Sequence, residues 1–519
     1  MIPSTRFSRL LGLVLIVDAA ILLAILGRVT LSRIDETQIA EVSREMATGG
    51  DWVTPRIGGI PFPAYPPLQY WMLALSGSAF GFNEFAMRLP TALAALALIG
   101  VVALLTRRLA GDDAGLAAAM ILGTTPSLFL QGTVCRADIL TALCATAAFD
   151  RFLAWTASAE KGGRRNRDLV LMYLWTALGI LAKGPLAIAV LGLGGLAWFL
   201  LNGQWKLLIG MKFWFGIPAL LLIVVPWYYA VYRANGWAFL NENLFLENLS
   251  AYSDGYQQKR PFDFYFRQSP LLLPWLLVLP LSTLVRKSPG VALSLAWFGL
   301  IFLFLQISSA KRLNYLAYTT PALAIASATT LTALSGSNPR LLRRAMIGFG
   351  GLLVLLGTAL ALVPTSSWTG GSVSRIAPRL PWIGGVVAAA ALGISLTTAR
   401  MGICAGFAGM TGVLALAFFV YGFFVNPRLN QDNRDLAEQC RRIAGRFPEP
   451  IHVPAHGGAE GFYHFYMGRT LPSRDGDPGL YVAADFQVEE FRKAGKRLEV
   501  VDPILDQRGR GRYLVRIIP

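Results

Sequence analysis

Long apolar blocks separated by short polar punctuation fill most of the chain. They fall at 10–30, 86–106, 114–130, 138–156, 169–182, 185–201, 213–232, 269–285, 289–308, 313–334, 345–363, 381–398 and 401–425. About 20 helical residues cross a bilayer, so this pattern predicts thirteen transmembrane helices, several of them short. Two polar stretches, 31–85 and 233–268, are too long for turns and read as loops on one side of the membrane. After about residue 427 the pattern changes. Residues 432–446 read as an amphipathic helix rich in Arg and Asp, and the pieces PIHVP, LYVAAD, LEVVDP and YLVRIIP are separated by Gly, Pro and charged turns. The expected architecture is a polytopic α-helical membrane domain over 1–426 and a small α/β domain over 427–519.

Composition supports this pattern. Of 519 residues, 54% are hydrophobic and only 15% charged, and the mean hydropathy is +0.51. Ordinary soluble domains carry about 25% charged residues, so a soluble enzyme is excluded. The net charge of +17 would suggest a nucleic-acid partner in a soluble protein. Here sixteen cations, among them Arg107, Arg108, Lys206, Lys212, Arg343 and Arg344, lie in the loops that share the N terminus's side. The positive-inside rule makes that side cytoplasmic, and no nucleic acid is needed to explain the charge. An odd number of spans then puts the two long loops and the C-terminal domain outside. The first apolar run lacks a small-residue cleavage pattern and reads as the first span.

Metal and thiol chemistry find little support. Cys135, Cys144, Cys404 and Cys440 show no ligand spacing or disulfide framework and read as small core residues. His452, His456 and His464 all lie in the tail, and Pro454 breaks the helix that would align the first two on a metal. A base in the membrane domain must therefore be a carboxylate. Asp35 and Glu36 open a helix-like segment directly after the first span. They either favour the first turn through its dipole or activate an acceptor at the membrane surface. Asp138, with Arg136 two residues before it, sits at the outer mouth of the fourth span, where an acid is expensive enough to suggest function. Asp18 and Asp150 lie in spans without a motif and read as structural.

Outer loops should be poor in cations, so exceptions are informative. Lys183 lies in AKGP, and Lys311 and Arg312 lie in AKRLNY with Tyr315 one turn on. Cations at outer helix ends suit a phosphate at headgroup depth, or snorkel to anionic lipid. The loop 233–268 adds Lys259, Arg260, Arg267 and aromatics, as a lid over a lipid-filled site would. No glycine-rich phosphate loop is present.

The ordered set DETxxAExSREM, GDWVTP (50–55), PPLQYW (66–71), RxD (136–138), LAKGP (181–185), PWYYAV (226–231), AKRLNY (310–315) and FYHFYMGR (462–469) resembles the bacterial aminoarabinose transferase group. That group belongs with protein O-mannosyltransferases among the GT-C membrane glycosyltransferases. The resemblance implies about thirteen spans with a small outer domain, in the bacterial inner membrane with the C terminus in the periplasm. It also implies transfer of a sugar from polyprenyl (undecaprenyl) phosphate onto a lipid or glycan acceptor at the periplasmic face. Asp35, Glu36 and Asp138 then match the family's acids, and Lys183, Lys311, Arg312 and Tyr315 the residues near the donor phosphate. Arg136, Arg267 and Tyr65 lie near substrate. Preorganised cations can stabilise the departing phosphate, so no cofactor is required, and a divalent metal is left open. Where the aminoarabinose transferases have Phe-Glu-Lys-Pro, this chain has Pro63-Ala64-Tyr65-Pro66. Tyr65 can stack or donate one hydrogen bond but cannot replace a charge pair, so the resemblance implies a reaction class rather than one sugar. Two other functions fit the same residues: a lipid or glycan transporter without chemistry, which should show mid-membrane charges, and a protein O-glycosyltransferase.

Overall fold

The computed structural model describes residues 4–32, 34–160, 166–253, 259–286, 288–362, 380–401, 403–452, 460–469, 471, 478–505 and 511–518. Nine helices fill the first part of the chain: α1 (Thr5–Ile25), α2 (Asp35–Gly49), α3 (Leu68–Phe80), α4 (Glu84–Ala110), α5 (Asp112–Gly123), α6 (Pro126–Gly132), α7 (Ala137–Ala159), α8 (Asn166–Lys183) and α9 (Leu186–Asn202). Local chemistry sets their ends. The Ser4 hydroxyl accepts from the Phe7 N–H at 3.1 Å to cap α1, and the Asn83 side chain accepts from the Ala86 N–H at 3.0 Å to cap α4. Gly50, at φ 75°, ends α2 in the left-handed conformation that glycine adopts without strain.

Beyond α9 come α10 (Phe213–Leu240), α11 (Pro289–Ile307), α12 (Thr320–Ser337), α13 (Pro339–Leu362), α14 (Leu380–Met401) and α15 (Ile403–Val420). Among the described residues, six helices are long and apolar enough to cross a membrane. A seventh span arises if α5 and α6, bent by 62°, are taken together. The protein is a polytopic helical membrane protein. α7 is its axis, with nearly every side chain from Ala137 to Thr156 buried. α1 and α10 lie outside and present Leu13, Ile16, Trp214 and Leu222 to their surroundings, as lipid-facing helices do.

Two expected features differ. The run 269–285 is not α-helical but forms two 3₁₀ segments, Ser269–Leu272 and Trp275–Leu284. Pro270, Pro274 and Pro280 remove the N–H groups an α-helix needs there. The stretch 233–268 is mostly helical: α10 runs on to Leu240, a π-helical segment Asn241–Ser250 continues it, and Phe264–Gln268 forms a further short helix.

Between α2 and α3 lies a two-residue hairpin, β1 (Arg56–Ile57) and β2 (Ile60–Pro61). The tail contains helices α16 (Gln431–Arg446), α17 (Glu460–Met467) and α18 (Asp485–Lys493). Its strands β3 (Ile451–His452), β4 (Gly479–Ala484), β5 (Arg497–Leu505) and β6 (Gly511–Ile518) fall on the four apolar pieces and pair in the order β3-β4-β6-β5. β3 is parallel to β4, and the other pairings are antiparallel. The tail is fused to the first loop: Ile39, Val42 and Tyr70 share one buried cluster with Leu436, Cys440, Phe462 and Tyr466. The Leu31 N–H donates to the Tyr466 hydroxyl at 2.8 Å. Gly461 is required at this seam, since a Cβ there would stand 3.0 Å from backbone atoms of α2. Cys135, Cys144 and Cys440 are buried, as small core residues are.

Candidate functional site

The first turn of α7 brings the predicted residues together. Asp138 is fully buried and accepts from Lys183 Nζ, from the Tyr318 hydroxyl at 3.0 Å and from Asn314 Nδ2 at 2.7 Å. Lys183 is delivered by its motif. It is the last residue of α8, Gly184 turns the chain at φ +82°, and Pro185 precedes α9. Its ammonium lies 4.8 Å from the Tyr315 ring centre and 5.5 Å from that of Tyr65, so two aromatic faces sit beside the cation. Tyr315, Asn314 and Tyr318 all come from the 3₁₀ turn Leu313–Thr319, whose tighter winding directs several side chains toward α7.

Arg136 precedes α7 and pairs with Asp35 at the start of α2. Arg136 and Arg312 also lie within electrostatic reach of Lys183. Burial disfavours charge on Arg312, but Tyr65, Tyr315, Glu247 and Asp35 face it and raise its pKa. Burial pushes the Tyr65 hydroxyl up to about 12, so it is a neutral donor at ordinary pH.

The three predicted acids play different structural parts. Glu36 and Asp138 have side chains 4% and 2% exposed, whereas Asp35 is 50% exposed. Glu36 is a clamp. Its carboxylate accepts from Arg88 at 2.8 and 2.9 Å, from the Ser32 N–H at 2.9 Å and from the Cys135 N–H at 3.0 Å. Burial would raise its pKa, but the Arg88 charge and these donors outweigh burial and lower it. Arg88 also donates to the Leu26, Val29 and Thr30 carbonyls at 2.8, 2.5 and 3.1 Å, tying α1's end to α2 and α4.

Two predicted cations stand apart from this cluster. Lys311 turns its ammonium back to the Ser308 carbonyl at 2.5 Å. Arg267 is exposed and held by Asp263 at 2.5 Å. The residue of its helix that meets the site is Tyr265, whose hydroxyl donates to the Arg312 carbonyl at 3.2 Å. Sequence reasoning missed Asn314, Tyr318, Arg88 and Glu247. Asn314 and Tyr318 lie in or beside the AKRLNY motif already singled out, but a 3₁₀ turn rather than an α-helix puts both on one acid.

Glu41, Glu45 and His464 have ligating atoms within 4.8 Å of one another, a metal-like grouping. Their donors are engaged otherwise. Arg44 grips both Glu41 oxygens at 2.6 and 2.8 Å, and Glu45 accepts from the Gly58 and Gly59 N–H groups at 2.6 and 3.2 Å. His464 Nδ1 accepts from the Leu471 N–H at 2.9 Å. This chemistry fastens α17 to α2. Of the other histidines, His452 lies in β3 and His456 outside the described residues.

Tyr315 also lines a groove of about 300 Å³, walled by Leu186, Ala189, Leu244, Phe304 and Leu305 together with the polar Glu247 and Asn248.

The family description dolichyl-phosphate-mannose-protein mannosyltransferase matches residues 64–229. An undecaprenyl phosphate-alpha-4-amino-4-deoxy-L-arabinose arabinosyl transferase from Edwardsiella ictaluri is 31% identical over 344 residues, 62% of this chain and 60% of its own length. Its counterpart from Pseudomonas aeruginosa is 31% identical over 295 residues, 54% of this chain and 52% of its own. The match thus spans between half and two thirds of these curated relatives. The crystal structure of ArnT from Cupriavidus metallidurans bound to undecaprenyl phosphate superposes with a TM-score of 0.83 at 22% identity, covering 97% of each chain. The Archaeoglobus fulgidus oligosaccharyltransferase superposes at 0.53 and 16% identity, covering 93% of this chain and 64% of its own. In sequence the chain is similar to the aminoarabinose transferases, and in architecture it has the GT-C fold that ArnT shows.

Proposed function

We propose that the protein is a glycosyltransferase that moves a sugar from a polyprenyl phosphate, undecaprenyl phosphate in bacteria, onto a lipid or glycan acceptor. The observation that carries this reading is Lys183, buried, within electrostatic reach of Arg312 and 4.8 Å from the ring centre of Tyr315, a residue that also lines a largely apolar groove. In this reading an isoprenoid lies in the groove and its phosphate reaches past Tyr315 to the cations. We place the site at the periplasmic face, with thirteen spans, the N terminus in the cytoplasm and the tail outside, which accords with the cation distribution.

In this reading Asp35 is the base. An acceptor oxygen bonds to the anomeric carbon, its proton passes to Asp35, and the sugar–phosphate C–O bond breaks with its electron pair leaving on the polyprenyl phosphate. Direct displacement inverts the anomeric centre. Lys183 and Arg312 stabilise the charge on the departing phosphate, with Tyr65 and Tyr315 fixing the cations, and no cofactor is required. Asp138 positions Lys183, Glu36 positions Asp35 and Arg136 through the backbone at Ser32 and Cys135, and Lys311 braces the turn before Arg312. The similarity to arabinosyl transferases that bear undecaprenyl phosphate in their names supports the donor class.

The test has two parts: binding of undecaprenyl phosphate to the purified protein, and comparison by mass spectrometry of lipid extracts from cells with and without the gene. Binding, and a mass shift of one sugar, are expected. A protein that fails to bind the lipid, or extracts that do not differ, would refute the proposal.

A further inference from the structure

The groove carries an acid that the transfer step does not use. Glu247 lines it together with Asn248 and Tyr315, and lies within electrostatic reach of Arg312, Tyr315 and Tyr70. The π-helical segment that carries it, Asn241–Ser250, is pinned to the stretches of chain that supply Tyr65 and Lys183. Asn243 Nδ2 donates to the Pro63 carbonyl at 2.8 Å, and Asn248 Nδ2 donates to the Asn243 carbonyl at 2.7 Å. Asn248 also meets the turn after Lys183, where its Oδ1 stands 3.4 Å from the place a Gly184 Cβ would take. π-Helical turns are uncommon and occur frequently at functional sites. Yet a carboxylate on the path of a phosphate repels it, so this acid needs a reason.

The charges around it supply one. Among the described residues, Lys183 is paired with Asp138, Arg136 is paired with Asp35, and Arg312 faces both Glu247 and Asp35. Three cations meet three carboxylates, which leaves no surplus positive charge. A sugar linked to polyprenyl phosphate is a phosphodiester with a single negative charge. The polyprenyl phosphate that leaves is a monoester, whose second ionisation at about pH 6 gives it about 1.5–2 negative charges at pH 7. During transfer the added charge is offset, because the acceptor's proton neutralises Asp35 as the phosphate takes its electron pair. Asp35 is half-exposed and lines, with Arg136, a separate cavity of about 360 Å³, so it can return that proton to water. Once it does, all three carboxylates are charged again and the dianion is one charge too many.

We propose that Glu247 is a specificity-determining residue that sets how much negative charge the site holds: it admits the singly charged phosphodiester, turns away polyprenyl diphosphates and expels the polyprenyl phosphate left by transfer. The proposal rests on the donor reading above and deepens it. Without the Glu247 charge, Arg312 would face one carboxylate fewer, and the leaving group would become a tight inhibitor. Its repulsion grows with each charge on the lipid head, whereas the groove holds the isoprenoid of all three lipids alike.

The experiment measures binding to the purified full chain of three lipids of rising charge: undecaprenyl methyl phosphate, a diester that stands in for the donor, undecaprenyl phosphate and undecaprenyl diphosphate. Wild type should bind them in that order of falling affinity. In Glu247→Gln, affinity should rise about threefold for the diester, about tenfold for the monoester and about thirtyfold for the diphosphate, a gain that climbs with ligand charge. Dissociation of undecaprenyl phosphate should slow by about the same tenfold. Glu247→Asp, which keeps the charge, should keep the wild-type order. Three results would overturn the proposal: a wild type that prefers the monoester to the diester, affinities in Glu247→Gln that change equally for the three lipids or not at all, or weaker binding of the monoester by that variant. If Glu247→Gln melts early, the uncharged Glu247→Met takes its place, with the same graded gain expected. A wild type that binds none of the three lipids sinks the donor reading instead, so the two failures are distinguishable.

Discussion

The two ends of α7 carry the same kind of residue in different surroundings. Near one end Asp138 is met by an ammonium, an amide and a phenol from three other segments, with two aromatic rings over the ammonium. Toward the other end Asp150 sits between guanidiniums, Arg108 at 3.0 Å and its neighbour Arg151, which also holds Asp168 at 3.1 Å. Both acids are buried and paired. The first adjoins two cavities, through Arg136 on one side and Tyr315 on the other, and Asp150 lines neither of these. A buried ion pair is thus poor evidence of function by itself, because breaking either one leaves an uncompensated charge. What separates the two is access.

The sharpest way to break this comparison is Asp138→Ala. It strands the Lys183 ammonium and should cost about 3–5 kcal/mol of stability, read as a lowered melting temperature, together with loss of undecaprenyl phosphate binding. Retained binding would detach the pair from the donor. Asp35→Asn should fold and bind donor normally but transfer about 10²–10⁴-fold more slowly, as measured by product formation in single-turnover assays. Normal turnover in that variant would remove Asp35 as base.

His464 sharpens the contrast from outside α7. Burial, reinforced by Arg44, lowers its pKa to about 4 from the ordinary 6.5. The unfolded chain therefore takes up a proton that the folded one refuses. The stability is present above pH 6.5 and declines as pH falls toward 4, by about 1.4 kcal/mol per unit at most. His464→Gln should flatten that slope in melting temperature against pH. Asp150→Asn should lower the melting temperature yet leave turnover per folded molecule within about twofold. The smallest effect is expected for Lys311→Ala, which releases one carbonyl and should change donor affinity by less than about threefold. A large loss there would place Lys311 on the phosphate.

Much of this was legible in the sequence. The apolar runs marked the helices, and the four apolar pieces of the tail marked its strands. The motifs around Asp35, Asp138, Lys183 and Arg312 named groups that the fold gathers. What escaped was long-range or conformational. Nothing in a linear reading says that Arg88, 52 residues away, would lock Glu36 and so leave Asp35 as the accessible acid. Prolines at 270, 274 and 280 were visible, but their effect, a 3₁₀ path in place of an α-helix, needed the backbone. Arg267 looked like Arg312 in composition, but it sits exposed on a short helix and is held by Asp263. Arg312 stands in extended backbone before the 3₁₀ turn, facing Tyr65 and Tyr315.

The hydrogen bond from Leu31 to Tyr466 spans 435 positions of sequence. A growing polypeptide releases α2, with Asp35 at its tip, about 400 residues before the helices that give it its hydrophobic cover, which include Leu436, Cys440, Phe462 and Tyr466. Contacts of such separation form late, so α2 gains its hydrophobic cover only once helices α16 and α17 have been made.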